Sequence, residues 1–250
     1  MKRPAQAGPL LRLCRLLCGL GLTVIATAAP IVPPTDAEPI RIIQTEPAAF
    51  PPLLAQQNVT RGWSKIVVGI DVTGKLADAL VVGCSHPEFA ASALAALRQW
   101  QFEPAHVSGE AIFTVTQLDF HFSDRTQGAS VVTQPSPDNV GQLQAKIRPV
   151  SNLLVRFDEL DCLPIPIHLV SPAYSAEDAQ RHAGKKVVVR FYIDETGRVR
   201  LPTLAYADDL VTARQALAAV AEWRFIPPKY QNQPVITRTS QTFVFKGSPR

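Results

Sequence analysis

The stretch Trp100-Gln101-Phe102-Glu103-Pro104 returns 123 residues later as Trp223-Arg224-Phe225-Ile226-Pro227. The similarity extends in both directions without a gap, so that Ile66–Phe122 aligns with Val189–Phe245, and 16 of the 57 positions are identical. Repeats that stack into solenoids have periods of about 20–50 residues, far shorter than this one. The chain therefore contains one small domain present twice, and we call the two occurrences copy one and copy two.

Each copy begins with a strand that leads into a tight turn. Residues 66–72 and 187–193 alternate in polarity with a period of two, which is typical of a strand with one buried face. A D-x-T-G motif follows in both copies, formed by Asp71 and Gly74 and by Asp194 and Gly197. An Asp side chain bonds to the backbone just after it and Gly tolerates a positive φ, so the motif predicts a hairpin turn. A second strand is expected over residues 76–84 and 199–205.

A helix is predicted after the second strand. Ser85-His86-Pro87-Glu88 has the pattern of a capping box with proline in the first turn, which marks a helix start in copy one. In copy two, Asp208-Asp209 suits a helix N-terminus because the helix dipole favours negative charge there. The helix ends near a Trp, because the Pro that follows cannot continue it. The residues predicted to anchor the core at this corner are Trp100, Phe102, Pro104, Trp223, Phe225 and Pro227.

A long final strand, Ala111–Phe122 in copy one and Val235–Phe245 in copy two, completes each repeat. The element order is β-β-α-β, which predicts an α+β fold of two tandem small domains. Each domain is expected to be a three-stranded antiparallel sheet backed by one helix. We place the first domain at residues 39–122 and the second at residues 158–246. Residues 123–150 between them are rich in Ser, Thr, Gln and Pro and predict a flexible linker.

The N-terminus has the pattern of a secretory leader. Basic residues precede the apolar run Leu16–Ala29, and Ala26-Thr27-Ala28 offers small residues at the positions that a signal peptidase reads. Residues 1–28 are therefore predicted to be a signal peptide. An uncleaved N-terminal membrane anchor is the alternative, although this run of 14 residues is shorter than the roughly 20 that span a bilayer.

The net charge of +4 comes from this leader. Four of the 25 Lys and Arg lie in residues 1–28, which hold no Asp or Glu, so basic and acidic residues balance in the rest of the chain. No nucleic-acid partner is therefore indicated. Residues 29–122 carry 5 basic and 9 acidic side chains, whereas residues 151–250 carry 13 and 10. From this opposite charge bias we expect that the two copies bind different partners or that they face one another.

No catalytic, cofactor or metal site is predicted, and we expect a protein that is not an enzyme. The sequence lacks the G-x-S-x-G, Walker, G-x-G-x-x-G and H-E-x-x-H motifs. The five histidines are scattered, and His86 is better placed to cap a helix than to bind a metal. Cys84 and Cys162, the cysteines that follow the leader, form no C-x-x-C pair. A disulfide between them is the alternative in an oxidising compartment.

The ordered set of elements resembles the TonB C-terminal domain family. In both copies an extended segment with an aromatic residue precedes the alternating strand, the D-x-T-G turn, the Ala-rich helix ending in W-x-F-x-P and the F-x-F strand. The resemblance implies an interaction domain in the periplasm of a Gram-negative bacterium. Domains of this family dock outer-membrane transporters, whose peptide segment adds as a strand to the sheet edge. The family's Tyr-Pro signature is altered to Phe50-Pro51 in copy one, and Tyr174 in copy two lacks the proline.

The resemblance also implies which residues bind a partner. They lie at the aromatic corner and along the final strands: Phe50, Pro51, Tyr174, Thr114, Thr116, Leu118, Phe120, Thr237, Thr239, Gln241 and Phe243. The expected partner is an outer-membrane TonB-dependent transporter or another envelope protein, with a homodimer through the sheet edges as an alternative. The protein is expected to be exported to the periplasm, or anchored in the inner membrane if the leader is retained. Energy transducers of the family carry a long Pro-rich spacer, and Pro30–Pro39 is far shorter. The alternative function is a structural envelope scaffold or dimerisation protein without energy coupling.

Overall fold

The computed structural model describes residues 37–107, 109–126, 128–134, 153–173 and 180–246. The predicted signal peptide, Tyr174 and most of the predicted linker lie outside the described residues. The described helices are α1 Pro52–Gln56, α2 Pro87–Leu97 and α3 Leu210–Ala221. No helix in these described ranges is long and apolar enough to cross a membrane.

Copy one is built around a four-stranded antiparallel sheet. Its described strands are β1 Ala37–Glu38, β2 Arg41–Gln44, β3 Arg61–Ile70, β4 Leu76–Cys84, β5 Gln101–Glu103, β6 Ala105–Val107, β7 Glu110–Ile112, β8 Thr114–Ser123 and β9 Gly128–Gln134. The main sheet has the order β4-β3-β8-β9. β2 pairs with β5, and β1, β6 and β7 form a small separate sheet. Helix α2 packs on β3 and β4.

Copy two has a sheet of the same size. Its described strands are β10 Leu154–Val155, β11 Pro166–His168, β12 Lys186–Ile193, β13 Val199–Ala207, β14 Arg224–Phe225, β15 Lys229–Tyr230, β16 Gln233–Pro234 and β17 Ile236–Val244. The main sheet has the order β10-β17-β12-β13, in which only the short β10–β17 pair is parallel. Helix α3 packs on β12 and β13.

The α+β class and the tandem duplication are confirmed, and the sheets differ from the prediction in one respect. Each three-stranded sheet is extended by a fourth strand, β9 in copy one and β10 in copy two. The prediction of a linker beginning at residue 123 is wrong for Gly128–Gln134, which form β9. The Ser, Thr and Gln residues around Val131-Val132 gave this segment a loop-like composition, although β-branched residues favour a strand once an edge is available.

The predicted turn is present in both copies. In copy two, Asp194 Oδ1 accepts hydrogen bonds from the backbone N–H of Thr196 at 3.0 Å and of Arg198 at 2.9 Å. Burial opposes the ionisation of Asp194, but these bonds and one from the Thr196 hydroxyl outweigh it and lower the pKa of Asp194. Gly197 has a φ of +83°, and Gly74 in copy one has a φ of +80°. A side chain at either glycine is therefore strained.

The helix starts differ in detail from the prediction. In copy one His86 is the N-cap, because its Nδ1 accepts a hydrogen bond from the Glu88 N–H at 3.2 Å. The predicted capping box with Ser85 is not formed, since the Ser85 hydroxyl instead accepts from the Trp63 N–H of β3 at 2.9 Å. In copy two Asp209 caps α3 as predicted, accepting from the N–H groups of Val211 and Thr212 at 2.9 Å.

The Trp of each W-x-F-x-P motif anchors the core. Trp100 and Trp223 are buried, and each donates its ring N–H to a backbone carbonyl at 2.8 Å. The acceptors, Glu46 in copy one and Val170 in copy two, lie on the segment before the first long strand. Each Trp therefore fixes the N-terminal segment of its copy to the end of the helix.

The two sheets pack against each other through the faces opposite the helices. The buried residues of this contact are Val67, Leu80 and Val82 of copy one and Tyr192, Leu201 and Ile236 of copy two. Leu201 lies at a register shift in β13 with a φ of 50°. Its Cδ2 occupies the space over Gly69, where a Cβ atom would lie only 2.7 Å away. Glycine at position 69 therefore permits this close approach, and the two copies form one sandwich with helices on its outside.

Candidate protein-interaction site

The outer edge of the last strand is closed in copy one. β9 runs antiparallel to β8 and pairs Gln117–Ser123 with Gly128–Gln134. An isolated bridge between Ala49 and Gly128 extends this contact to the segment before α1. Leu118 and Phe120 of β8, which were predicted to contact a partner strand, therefore already pair with a strand of the same chain, whereas Thr114 and Thr116 precede the part of β8 that β9 covers.

The same edge is largely open in copy two. β10 covers only Ile236 and Thr237 of β17, and no described strand pairs with the outer edge of β17 beyond them. The Ile236 N–H donates outward to the Leu153 carbonyl at 2.7 Å. Backbone groups alternate in direction along a strand, so Ser240, Thr242 and Val244 also direct N–H and C=O outward.

The two copies also differ in how far an equivalent aromatic side chain on the last strand is exposed. Phe120 of β8 is 0 % exposed, whereas its counterpart Phe243 of β17 is partly exposed. The ring centroids lie 5.7 Å apart both between Trp100 and Phe120 and between Trp223 and Phe243. The two Phe rings thus hold the same place against the core. β9 covers Phe120, whereas no strand among the described residues lies beside Phe243.

The side chain of Gln241 also marks the open edge. Its Nε2 donates to the carbonyl of Thr242 at 2.8 Å, so a local amide satisfies an outward carbonyl that a neighbouring strand would normally bind. The counterpart of Gln241 in copy one is Leu118, which is 0 % exposed beneath β9. Beyond Thr237, the edge of β17 thus has no pairing strand in the described part of the chain, and it carries a polar Gln241 where β8 carries the apolar Leu118.

This geometry places several of the predicted partner-binding residues of copy one in the core. Leu118 and Phe120 are buried in the core under β9, and Thr116 is also buried. Thr114 lies at the start of β8 and is half-buried. Phe50 is a core residue whose ring lies 5.3 Å from that of Phe89, and Pro51 is the buried N-cap of α1. An aromatic followed by proline at this corner closes the core and starts a helix.

The predicted residues of copy two separate into two groups. Thr237 is buried, and its hydroxyl donates to the Val155 carbonyl of β10 at 3.0 Å, so it is not available to a partner. Thr239, Gln241 and Phe243 are partly exposed on the helix side of the open edge. Tyr174 lies outside the described residues. The open edge of β17 therefore retains three of the predicted positions.

An exposed apolar ridge is a feature that the sequence reading missed. Leu163, Ile165, Ile167 and Leu169 are 62, 56, 66 and 55 % exposed. Their period of two along an extended segment is the signal that would have revealed a common face. β2 places Ile42 opposite Phe102, and β11 places Pro166 opposite Phe225, the duplicate of Phe102, so Ile42 corresponds to Pro166. On this alignment, the positions in copy one that match the four ridge residues are Pro39, Arg41, Ile43 and Thr45. The ridge is thus a property of copy two.

The described part of the chain offers few other groups that could bind a metal or react. No three His, Cys, Asp or Glu side chains there are grouped so that they could hold a metal ion. Cys84 is buried, Cys162 is exposed, and both are free thiols. Burial raises the pKa of the Cys84 thiol, which makes it a poor nucleophile. The open strand edge is the feature that best supports a function.

Comparison with known proteins agrees with the duplicated architecture. The family model described as Gram-negative bacterial TonB protein C-terminal matches residues 47–123 and again residues 170–246. The chain belongs to the TonB C-terminal domain family. Both TonB C-terminal domains are covered from the aromatic corner to the end of the last long strand, so β8 and β17 lie within the matched segments.

One solved structure is similar to a single TonB C-terminal domain. It is the solution NMR structure of Pseudomonas aeruginosa TonB CTD, with 24 % sequence identity and a TM-score of 0.32. The alignment covers 38 % of this chain and 96 % of that chain. No curated protein matches the chain.

Proposed function

We propose that this protein is an exported periplasmic docking protein, and that its second TonB C-terminal domain binds an outer-membrane TonB-dependent transporter. The transporter contributes an extended segment that adds as a strand to the outer edge of β17. Copy one serves as the rigid support for copy two, because its own edge is occupied by β9.

The observation that carries this proposal is the contrast between Phe120 and Phe243. Duplicated strands hold duplicated rings at the same distance from the core Trp, yet only Phe243 is left partly exposed. A strand edge with outward N–H and C=O groups and an uncovered aromatic residue offers both the hydrogen bonds and the apolar contact that strand addition uses. The sandwich contact on the opposite side of the sheet holds this edge in a fixed orientation.

The test is site-specific photo-crosslinking of the full chain in the envelope of its own host. A photoreactive residue at Thr242, which is exposed on β17, should give a crosslinked product that mass spectrometry identifies as an outer-membrane transporter. The matched control is the same residue at Val132, which is exposed on the resident strand β9 and should give no such product. Crosslinks to the transporter at both positions, or at neither, would contradict docking at β17.

A second candidate function is dimerisation through the same edge. Two β17 edges can pair with each other about a two-fold axis, because an antiparallel pair is self-complementary. In the crosslinking experiment this arrangement gives a product of twice the mass of the chain that contains no second protein. Sedimentation of the purified protein would show a dimer that Thr242→Pro abolishes.

A further inference from the structure

The apolar ridge of copy two lies on the outward face of the small sheet formed by β11 and β14. Phe225 of β14 is buried in the core, so its neighbours Arg224 and Ile226 point to the opposite, outward face. The Ile226 N–H donates to the Ile165 carbonyl at 2.8 Å, which places the two isoleucines side by side. Both side chains are exposed, so Ile226 widens the ridge on the side of β14.

Two guanidinium groups flank this apolar face. Arg198 lies opposite Arg224 in an antiparallel bridge, and residues opposite each other in such a pair point to the same face. The Arg224 guanidinium donates to the Trp223 carbonyl at 2.7 Å, which holds it at the end of α3. Neither arginine forms an ion pair with another residue in the described part of the chain. The face is therefore both apolar and positively charged.

The equivalent face of copy one is suited to water. Where copy two has Ile165 beside Ile226, copy one has Arg41 opposite Glu103, and these exposed side chains form an ion pair at 3.8 Å. The position of Arg224 is taken by Gln101. An exposed ion pair is stable in water, whereas an exposed aliphatic side chain gains free energy when water is excluded from it. The two copies thus differ as expected if the face of copy two contacts an apolar phase.

Prolines restrict how a partner can contact β11. Ile165 directs its carbonyl towards β14, so the adjacent positions Pro164 and Pro166 face the outer edge of the strand. Proline has no N–H, and the outer edge therefore lacks donors that an added strand would need. The contact that this face offers is made by its side chains.

We propose that this face binds the surface of a phospholipid membrane that carries anionic headgroups. The four ridge residues and Ile226 insert below the headgroups, while Arg198 and Arg224 bind lipid phosphates. Aliphatic side chains flanked by basic ones are a combination with which peripheral proteins bind anionic bilayers. A second copy fits the face less well, because its residues are aliphatic or basic and do not complement one another. The inference goes beyond the proposed docking at β17 and does not depend on it.

The test places a fluorophore on Cys162, which is exposed next to the ridge, in the full chain. Cys84 is buried, and Cys14→Ser and Cys18→Ser confine the label to one site. The label is nitrobenzoxadiazole, whose emission moves to shorter wavelength in an apolar environment. Vesicles of phosphatidylethanolamine and phosphatidylglycerol should cause this shift, and nitroxide-labelled lipids in them should quench the emission. Vesicles of phosphatidylcholine alone should cause a clearly smaller shift.

A matched pair of variants tests the ridge itself. Ile167 and its counterpart Ile43 in copy one are 66 and 65 % exposed, so one substitution makes the same chemical change in both copies. Ile167→Glu should weaken vesicle binding about tenfold or more, because it removes an inserted aliphatic group and adds a carboxylate. Ile43→Glu should weaken it less than about twofold, since that face stays in water. Equal losses in the two variants would overturn the inference.

A second pair tests the charge. Arg198 and its counterpart Lys75 are both exposed, and Gln in place of either removes one positive charge. Arg198→Gln should weaken binding to the anionic vesicles about fivefold and leave the response to phosphatidylcholine unchanged. Lys75→Gln should have little effect on either. Equal effects of the two substitutions would show attraction by net charge alone and would contradict a defined face.

Three further outcomes would overturn the inference. The first is an unchanged emission with both kinds of vesicle. The second is an emission already at short wavelength before vesicles are added, which would show that another part of the chain covers the ridge. The third is a dimer in sedimentation that Ile167→Glu dissociates, which would show that a second copy is the occupant. Crosslinking at Thr242 reports on the proposed function separately, so the failure of one is distinguishable from the failure of the other.

Discussion

Arg200 of copy two binds Asp78 of copy one across the contact between the two sheets. The Arg200 Nε lies 2.9 Å from Asp78 Oδ2, and a second guanidinium nitrogen donates to the other oxygen of the same carboxylate. The remaining nitrogen lies 3.6 Å from Oδ2 of Asp194. The hydrogen bonds that Arg200 donates to Asp78 raise the pKa of Arg200. A carboxylate of the more acidic copy one and a guanidinium of the more basic copy two thus form a bidentate ion pair beside the apolar contact.

The first prediction is that Asp78→Ala destabilises the whole protein. The change leaves the half-buried guanidinium of Arg200 without its bidentate partner, so the free energy of unfolding should fall by about 1–3 kcal/mol. Urea unfolding followed by fluorescence measures the change and should show one transition. The control Asp158→Ala removes the partner of Arg156 in a fully exposed pair and should leave the unfolding midpoint unchanged. An Asp78→Ala variant as stable as the parent would show that the pair contributes nothing.

The second prediction concerns Gly74 in the turn of copy one. A Cβ atom at Gly74 would overlap the carbonyl oxygen of Phe102, because the turn lies directly against β5. Gly74→Ala should therefore cost roughly 2 kcal/mol or more, since it adds a steric clash to the strain of a positive φ. Gly109→Ala is the control, because its φ is +79° but nothing lies within 4 Å of the added Cβ. Thermal unfolding should show a clearly smaller loss for the control, and equal losses would contradict the role of the clash.

Features that depend on a few neighbouring residues could be predicted from the sequence. The turn needs only an Asp and a Gly three residues apart, and the helix start needs only a cap and a proline. The same holds for the Trp anchors, whose spacing to the following Pro fixes the end of the helix. His86 replaced Ser85 as the cap because Ser85 is used by β3, and that competition arises only once the strands have paired.

The edge of the candidate site could not be predicted, because it depends on contacts between distant segments. β9 becomes a strand only when β8 offers it an edge, and its own composition resembles that of a loop. The sandwich contact did leave a signal that the sequence reading missed. Ile66-Val67-Val68 and Leu80-Val81-Val82 are continuous apolar runs, which are typical of a sheet buried on both faces.

The third prediction is a pH dependence that arises from Asp194. Its pKa is lower in the folded protein than the ordinary value of 3.8. The folded state therefore binds the proton less readily than the unfolded state, and the carboxylate stabilises the fold at pH values above 3.8. This stabilisation is lost as the pH falls through the ordinary value towards the lower, folded one. The Asp194→Asn variant should thus be less stable than the parent at pH 7, and the difference should shrink below about pH 4. Urea midpoints across the pH range measure this, and a constant difference would contradict it.

The fourth prediction is that Val131→Asp opens the edge of copy one. Val131 packs against the aromatic core from β9, so a carboxylate there should release the strand and cost about 1–3 kcal/mol. Because backbone groups alternate along β8, His121 directs its N–H to β9 and Phe120 directs its N–H to β3. Amide hydrogen exchange at His121 should therefore accelerate at least tenfold, while exchange at Phe120 stays slow. Val132→Asp, on the exposed face of the same strand, should leave both amides protected. If both amides accelerated together in Val131→Asp, the whole of copy one would be unfolding, and β9 would be an integral strand of the sheet that cannot detach alone.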